Sequence, residues 1–272
     1  MTTSPLFELS IVVALKAPRG EDPLEGLAGW TQRQTCPRER YEVIVAANGD
    51  HPELEQRVPG VLGPNDRLLS PRPRLGTFGL LDLAAGAARG RWIQVSELHV
   101  FPEPECVEAM LAHLTAHDSP VAFGWSGGCG EGPLARGQLR YFREIMAASE
   151  RTPEAPTFPV RTAAFRRDVL DKIGGIPTDY SLYADRILAA RLKEAGLRAT
   201  VVRDARFDHF DRMQLRGLRQ DLSLYTWGEI RYRAASDAAY CDRHLGRPPE
   251  WAERDGYRRP IARMRRRTVA RA

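Results

Sequence analysis

The chain has 272 residues, of which 43% are hydrophobic and 28% are charged, and its formal net charge at pH 7 is +5. This composition suits one large globular domain with a substantial core. No run of about 18 apolar residues occurs, which argues against a transmembrane helix, and the N-terminus lacks the basic and apolar regions of a secretory signal. The four cysteines are scattered and form no CxxC pair, which argues against a zinc knuckle and favours a reducing cytoplasm as the location.

Strand-like and helical patterns alternate through the first half of the chain. Strands are predicted at residues 9–15, 41–47, 92–95 and 121–125, with a short extended piece near 67–69. Helices are predicted at 24–34, 53–58, 79–89 (ending at Gly90) and 105–117. This alternation predicts a largely parallel sheet wound by right-handed crossovers.

The second half of the chain carries less regular patterns. The five glycines and the absence of periodicity in residues 126–137 predict a loop, which is either a lid or a simple connector. Helices are predicted at 140–149, 165–173, 185–195 and from 215 to about 239, with a strand at 200–202. We therefore divide the chain into a main domain (1–214), a C-terminal helical extension (215–255) and a basic tail (256–272).

The positive charge is concentrated in the tail, where residues 256–272 contain seven arginines and no acidic residue. A basic segment of this kind can contact anionic lipid, nucleic acid or an acidic partner. Aromatic residues are not interleaved with these arginines as they are in many RNA-binding segments. We expect a solvated, disordered tail, with weak contact to a membrane surface as the alternative and no nucleic-acid partner.

The order of these features resembles glycosyl transferase family 2, whose members have the nucleotide-diphosphosugar transferase (GT-A) fold. The matching segments are Leu24–Val45, Ala87–Ile93, Phe165–Leu170 followed by Gly174-Gly175, and Ala184-Asp185 with the helix after it. The resemblance covers roughly residues 8–230. It implies a Rossmann-like, mixed and mostly parallel sheet with helices on both faces, followed by a C-terminal helical extension.

The chain departs from the family pattern at the positions that carry the chemistry. Ala47-Asn48 stands where the second strand usually ends in two aspartates, and Leu81-Asp82 stands in place of an arginine–asparagine pair. Glu97-Leu98-His99 replaces the aspartate-x-aspartate motif, and only the second member of a later acidic pair, Asp185, is retained. The resemblance therefore supports the fold better than the activity.

The resemblance places Glu97-Leu98-His99 at the carboxyl edge of the sheet, facing the diphosphate of a nucleotide sugar. His209 stands where many relatives carry a late histidine that reaches the same site. Glu97, His99 and His209 would form a two-histidine, one-carboxylate set for a divalent metal, suited to manganese, iron or zinc more than magnesium. The alternative is metal-independent transfer, with Glu97 on ribose or backbone and His99 in a hydrogen-bonded turn.

Asp185 is the candidate general base, because an inverting transferase needs a group that takes the proton of the acceptor hydroxyl. The alternative for Asp185 is a helix N-cap. Asn48 and Asp50 are expected to contact the donor base or ribose, Arg74 a phosphate, and Asp82 the donor site. An ordinary strand-end turn and an exposed loop arginine are the alternatives for these positions.

The resemblance implies an inverting glycosyltransferase that uses a nucleotide-diphosphosugar, with Mn²⁺ or Mg²⁺ as the possible metal. The acceptor is left open among a glycan, a lipid-linked sugar, a natural product and a peptide. The aromatic stretch Tyr225–Gly228 either lines an acceptor site or packs in the core, and we favour the core. The alternative function is a catalytically inactive module that binds a nucleotide sugar or a protein. A nucleotidyltransferase is disfavoured, since residues 15–20 (LKAPRG) are not a Gly-rich phosphate loop.

Overall fold

The structure is a computed structural model, and it describes residues 6–16, 24–72, 74–129, 132–151, 160–209 and 215–247. The basic tail and the predicted domain boundary at residue 214 lie outside these residues. Within the described part of the chain, no helix combines the length and the apolar character needed to cross a bilayer.

The first half of the chain alternates strands and helices as predicted. The strands are β1 (Phe7–Leu15), β2 (Tyr41–Ala47), β3 (Arg67–Leu69), β4 (Gly90–Glu97) and β5 (Val100–Pro102). The helices are α1 (Glu25–Gln32), α2 (Pro52–Arg57), α3 (Thr77–Ala87) and α4 (Cys106–His117). Nearly every residue of β1 and β2 is buried, because runs of β-branched and apolar side chains suit strands covered on both faces.

The second half completes the fold with three strands and five helices in the described residues. They are β6 (Val121–Cys129), α5 (Pro133–Arg151), β7 (Ala163–Arg166), α6 (Arg167–Lys172), α7 (Ala184–Glu194), β8 (Ala199–His209), α8 (Leu215–Ala235) and α9 (Ala238–Leu245). Helix α7 ends before Gly196, whose φ of 68° is a left-handed conformation that glycine adopts without strain.

The strands form one sheet in the order β3-β2-β1-β4-β7-β6-β8-β5. The pairings of β1 with β2 and β4, of β2 with β3 and of β6 with β8 are parallel. β7 is antiparallel to both of its neighbours, and β5 is antiparallel to β8. Helix α3 packs on β1 and β2, and α4 packs on β6 and β8. The predicted fold class, a mixed and mostly parallel sheet covered by helices, is confirmed.

The prediction of a loop at residues 126–137 is wrong at both ends. Ser126–Cys129 continue β6, where Ser126 pairs with Phe207 and Cys129 with His209 of β8, and α5 begins at Pro133. Pairing with β8 outweighs the low β propensity of glycine, and the sequence of β6 alone does not show its partner.

The prediction of one helix at residues 165–173 is wrong in its first part. Ala163–Arg166 form β7, which inserts between β4 and β6, and the helix α6 begins only at Arg167. A four-residue strand is too short to show a period of two, and its apolar residues continue without a break into the helical pattern.

Gly90 is the first residue of β4 and not the end of the preceding helix, as the sequence suggested. A Cβ at this position would collide with the backbone of Leu9 and Ser10 on β1. The Gly90 amide donates to Ser10 Oγ at 2.8 Å, and Ser10 Oγ donates to the buried Glu42 carboxylate at 2.7 Å. Glycine is thus needed here for close approach of two strands.

The two C-terminal helices pack against α7 through a small apolar cluster of their own. Its buried members are Tyr183, Ile187, Ala190, Tyr232, Cys241 and Leu245. The predicted single helix to about residue 239 is broken between α8 and α9, where the Asp237 carboxylate accepts the Tyr240 amide at 2.8 Å and caps α9.

We expect Gly228→Ala to destabilise the protein, because a Cβ at residue 228 of α8 would collide with the Tyr180 carbonyl oxygen. A forced contact of this kind costs about 1–3 kcal/mol of unfolding free energy. Gly217→Ala on the same helix is the matched control: no atom of the described residues lies within 4 Å of the position that a Cβ would take there, so it should stabilise by about 0.5–1 kcal/mol through helix propensity. Urea unfolding of both variants measures the difference, and equal effects would contradict this packing of α8.

Candidate functional site

The carboxyl ends of three parallel strands form one edge of the sheet. Ala46 of β2, Ala14 of β1 and Glu97 of β4 lie side by side in the register. In open α/β sheets, ligands bind beyond the carboxyl ends of the strands. Glu97, the last residue of β4, therefore lies at the edge where a ligand is expected.

Two histidines lie beside Glu97, His99 in the segment between β4 and β5 and His209 at the end of β8. The antiparallel pairing of Val100 with His209 brings His99, the residue before Val100, beside His209. The Nε2 atoms of His99 and His209 lie 3.1 Å and 3.3 Å from Glu97 Oε2. Ligand atoms of the three residues all lie within 4.8 Å of one another. The structure thus brings the three proposed metal ligands together.

Arg161 is a fourth member of this cluster, and the sequence did not single it out. Because β7 is antiparallel to β4, the residues before β7 lie at the carboxyl end of β4, where the Thr162 amide donates to the Val95 carbonyl at 2.7 Å. Arg161 Nε donates to Glu97 Oε2 at 2.9 Å, and its guanidinium lies 5.0 Å from the centre of the Phe142 ring. Among 40 lysines and arginines, no local motif distinguishes Arg161.

The charges of the cluster follow from burial and from Arg161. Burial disfavours ionisation of Glu97, but the Arg161 guanidinium and the hydrogen bonds from His99 and His209 hold the pKa of the carboxyl well below its usual value. Burial and the nearby Arg161 charge lower the pKa of His209 to about 3. At neutral pH the cluster therefore contains an ionised carboxylate, a fixed guanidinium and a neutral His209 imidazole.

This donor set fits a divalent cation. Metal ligation requires an ionised carboxylate and neutral imidazoles, which are the forms that this environment favours for Glu97 and His209. His99 Nδ1 is buried and has no hydrogen-bond partner in the described part of the chain, whereas His99 Nε2 faces the Glu97 carboxylate at 3.1 Å. A bound cation would share the Glu97 carboxylate with Arg161.

Asp185 lies in the first turn of α7, where the N-cap residue is Tyr183. The N-cap alternative for Asp185 is therefore not what the structure shows. The Asp185 Oδ1 atom accepts the Arg186 amide at 2.6 Å. Burial nevertheless raises the pKa of Asp185 to about 7, against the lowering effect of Arg186 and Arg161.

Two of the proposed donor-site residues, Asn48 and Asp82, have side chains that hydrogen-bond to backbone groups of the protein. The Asn48 side-chain amide donates to the Leu75 carbonyl, and its oxygen accepts the Leu75 amide at 3.0 Å. Asp82 Oδ1 accepts the Ile176 amide at 3.1 Å. These contacts shape the loops beside the sheet edge, so they support a positioning role for Asn48 and Asp82.

Asp50 and Arg74 have more accessible side chains. The Asp50 carboxylate lies 3.5 Å from Lys16 Nζ and 3.1 Å from Arg74 Nη1, and the Arg74 side chain is 72% exposed. Asp50 comes after the carboxyl end of β2, and Arg74 comes after the carboxyl end of β3. A solvent-exposed ion pair of this kind holds its geometry weakly. They are accessible to a ligand at this edge.

A cavity of about 550 Å³ connects the Glu97 cluster with Asp185. Glu97, Arg161 and Asp185 all line it, and its walls come from α5 and α8. Tyr225 of α8 lines the cavity and also packs edge-on against Tyr183 at 5.1 Å between ring centres. Trp227 is 37% exposed. The preference for a core role of this aromatic stretch is therefore only partly correct.

The sequence profile of glycosyl transferase family 2 matches residues 30–174, more than half of the chain, so the chain belongs to this family. The eight-stranded mixed sheet and its helices correspond to the GT-A fold of this class. A comparison with curated protein sequences finds no significant match.

Solved structures with the same fold include glycosyltransferases with bound donors. TarS of S. aureus (residues 1–349, in complex with UDP-GlcNAc) aligns at 16% identity and a TM-score of 0.60 over 88% of this chain and 70% of that one. The mannosyltransferase PcManGT of Pyrobaculum calidifontis, in complex with GDP-Man and Mn²⁺, aligns at 18% identity and a TM-score of 0.56 over 97% and 85%. The longer TarS chain is matched over only 42% of its length.

Proposed function

We propose that the protein is an inverting glycosyltransferase that moves a sugar from a nucleotide-diphosphosugar to a hydroxyl-bearing acceptor. The observation that carries this proposal is the position of Asp185, Glu97 and Arg161 around one cavity at the carboxyl edge of the sheet. Family membership supports the reaction class. The UDP-GlcNAc and GDP-Man complexes of proteins with the same fold support the donor class.

In the proposed reaction, Asp185 accepts the proton of the acceptor hydroxyl as the hydroxyl oxygen forms a bond to the anomeric carbon of the donor. The bond between that carbon and the diphosphate oxygen breaks, and its electron pair leaves with the nucleoside diphosphate. A carboxylate with a pKa of about 7 suits this step, because a base is most effective when its pKa lies near the working pH. A single displacement of this kind inverts the anomeric configuration.

Negative charge develops on the leaving diphosphate and must be stabilised. Arg161 supplies a fixed positive charge at the cavity wall. Glu97, His99 and His209 would hold a divalent cation, which when bound would also stabilise the charge of the leaving group. The two imidazoles favour manganese over magnesium, and the Mn²⁺ in the PcManGT complex makes it the first ion to test.

We assign Asp50 and Arg74 to the donor side of the site and give Asn48 and Asp82 a positioning role in the loops beside it. We place the reaction in the cytoplasm, where thiols are kept reduced, because Cys36, Cys106 and Cys241 are free and buried. Contact of the basic tail with an anionic membrane surface remains a proposal from charge alone.

Transfer should depend on pH through Asp185. The ionised form is the active base, so kcat/KM should rise about tenfold per pH unit below the pKa of Asp185 and level off above it, with the midpoint near a pKa of about 7. Arg161, Arg186 and Tyr225 are the charged and titratable groups that act on this carboxylate. Donor consumption between pH 5 and 9 measures the profile. The Asp185→Asn protein is the control and should give a flat profile; the same inflection in that variant would exclude Asp185 as the titrating base.

The stereochemistry of the product tests the single displacement directly. With an α-linked donor such as UDP-GlcNAc or GDP-Man, the new linkage should be β, as measured from the anomeric proton coupling or the one-bond carbon–proton coupling by NMR. An α-linked product would contradict the inverting mechanism while leaving sugar transfer itself intact.

A further inference from the structure

We infer that the acceptor is a molecule with an apolar body, aromatic or hydrocarbon, that presents a single hydroxyl group to Asp185. This inference rests on the proposed function, since it assigns the acceptor class of the same site. It is carried by the composition and shape of the cavity between α5 and α8.

The cavity wall formed by α5 is one apolar helix face. Leu134, Tyr141, Phe142 and Ile145 line the cavity, and their spacing places them on the same side of the helix. Tyr141 is 59% exposed even though it lines the cavity. An exposed aromatic side chain at the rim of an apolar cavity is typical of a surface that is covered by a ligand.

Helix α8 forms the opposite wall of the cavity, also with apolar and aromatic side chains. Leu222 and Tyr225 line the cavity three residues apart on the helix, and Leu222 is 56% exposed. The two apolar faces enclose about 550 Å³, a volume within the usual range of small-molecule sites. A ligand that contacts both faces would remove these exposed side chains from water.

Three of the charged groups that line the cavity, Glu97, Arg161 and Asp185, interact with one another through Arg161. Arg161 Nε lies 2.9 Å from Glu97 Oε2. The positive charge of Arg161 also favours the ionised form of Asp185 and so lowers the pKa of that carboxyl. Apart from this cluster and the tyrosines, Gln138 and Asp221 are the polar side chains among the described lining residues. A glycan acceptor carries hydroxyl groups on every sugar and needs many hydrogen-bonding partners, since buried polar groups must be paired. One reactive hydroxyl on an apolar body matches the cavity better.

Direct binding of three probes tests the inference. The probes are 2-naphthol for an aromatic acceptor, 1-decanol for a hydrocarbon chain and methyl β-D-glucopyranoside for a sugar acceptor. Isothermal titration should show at least one apolar probe binding about tenfold or more tightly than the glucoside, a difference expected from burial of apolar area. The preferred apolar probe then distinguishes an aromatic small molecule from a lipid chain as the source of the acceptor. Tighter binding of the glucoside would overturn the inference.

A matched pair of leucines on α8 localises the binding. Leu222 lines the cavity, whereas Leu224 is 38% exposed and is not among the described lining residues. Leu222→Asn should weaken binding of the apolar probe about three- to tenfold through lost apolar contact, and Leu224→Asn should leave it unchanged. Both leucines are partly exposed, so neither variant should lose its fold. Equal affinities of the two variants would place the probe elsewhere and overturn the inference.

Binding of UDP and GDP, measured in parallel, separates this inference from the proposed function. If a nucleoside diphosphate binds and the apolar probes do not, the acceptor class is wrong and the proposed function stands. If an apolar probe binds in the Leu222-dependent manner and no nucleoside diphosphate binds when the set is extended to ADP, CDP and TDP, the proposed function fails, and with it the acceptor role of the cavity. Glycosylation of the preferred probe, with a KM raised in Leu222→Asn and not in Leu224→Asn, would support both.

Discussion

Replacement of Asp185 by asparagine should reduce turnover by about 10²–10⁴-fold, which is the usual contribution of a positioned general base. Asparagine keeps the shape of the side chain and can still accept the Arg186 amide, but it cannot take the acceptor proton. Donor affinity should barely change, because the base acts on the acceptor and mainly in the transition state. Turnover of donor with acceptor, and titration of nucleoside diphosphate, give the two measurements; donor hydrolysis in water is a weaker substitute for the first.

Asp221→Asn is the matched control, since Asp221 is a second carboxylate that lines the same cavity, on α8. It should retain activity close to that of the wild type. A large loss of turnover in Asp221→Asn, together with normal turnover in Asp185→Asn, would identify Asp221 as the general base instead of Asp185. No transfer by the wild-type protein over a broad set of donors and acceptors would instead favour the inactive binding module.

The same Asp185 variant should gain stability above neutral pH. The folded-state pKa of about 7 lies above the ordinary value of 3.8, so the unfolded state loses this proton first, and the folded protein loses stability as the pH rises from about 4 to 7. Removing the charge should therefore raise the unfolding free energy at pH 8 by roughly 1–3 kcal/mol, with a smaller gain at pH 5. Urea unfolding at both pH values measures this, and a variant that is less stable than the wild type at pH 8 would contradict a desolvated carboxylate.

Replacement of His99 by alanine should remove most of the manganese dependence of nucleoside diphosphate binding. In the wild type, affinity should rise with Mn²⁺ and fall with a chelator, because Glu97, His99 and His209 present three ligand atoms within 4.8 Å. Loss of one of three protein ligands should cost about 10–100-fold in Mn²⁺-dependent affinity. Titration of UDP and GDP with Mn²⁺, and with chelator, measures the effect.

His117→Ala is the control for this experiment, since His117 lies at the exposed end of α4, outside the described metal cluster. It should keep the full response to Mn²⁺. Equal nucleotide affinity in Mn²⁺ and in chelator for the wild type would exclude the metal and favour Arg161 as the cation that stabilises the diphosphate. The Glu97–Arg161 ion pair makes that outcome physically reasonable, because it already neutralises the carboxylate that a metal would use.

The errors made from sequence share a physical cause. Residues 126–129 are predicted as loop because glycine has low strand propensity, and residues 165–166 are predicted as helix because the apolar residues of β7 merge into the next pattern. Both segments become strands only because the sheet supplies hydrogen-bonding partners, β8 for the first and β4 and β6 for the second. Strand propensity is a property of the partner as much as of the segment.

The sequence by itself determined the strand–helix alternation, the long buried strands β1 and β2 and the position of Glu97 at the end of β4. These features are local, since they depend on periodicity and on the parallel order of successive units. Only the tertiary structure decided which side chains meet. The antiparallel entrance of β7 places Arg161 on Glu97, the pairing of Val100 with His209 joins the two histidines, and burial in the folded chain raises the pKa of Asp185. Distances and desolvation are set by residues far apart in the chain, so no local pattern encodes them.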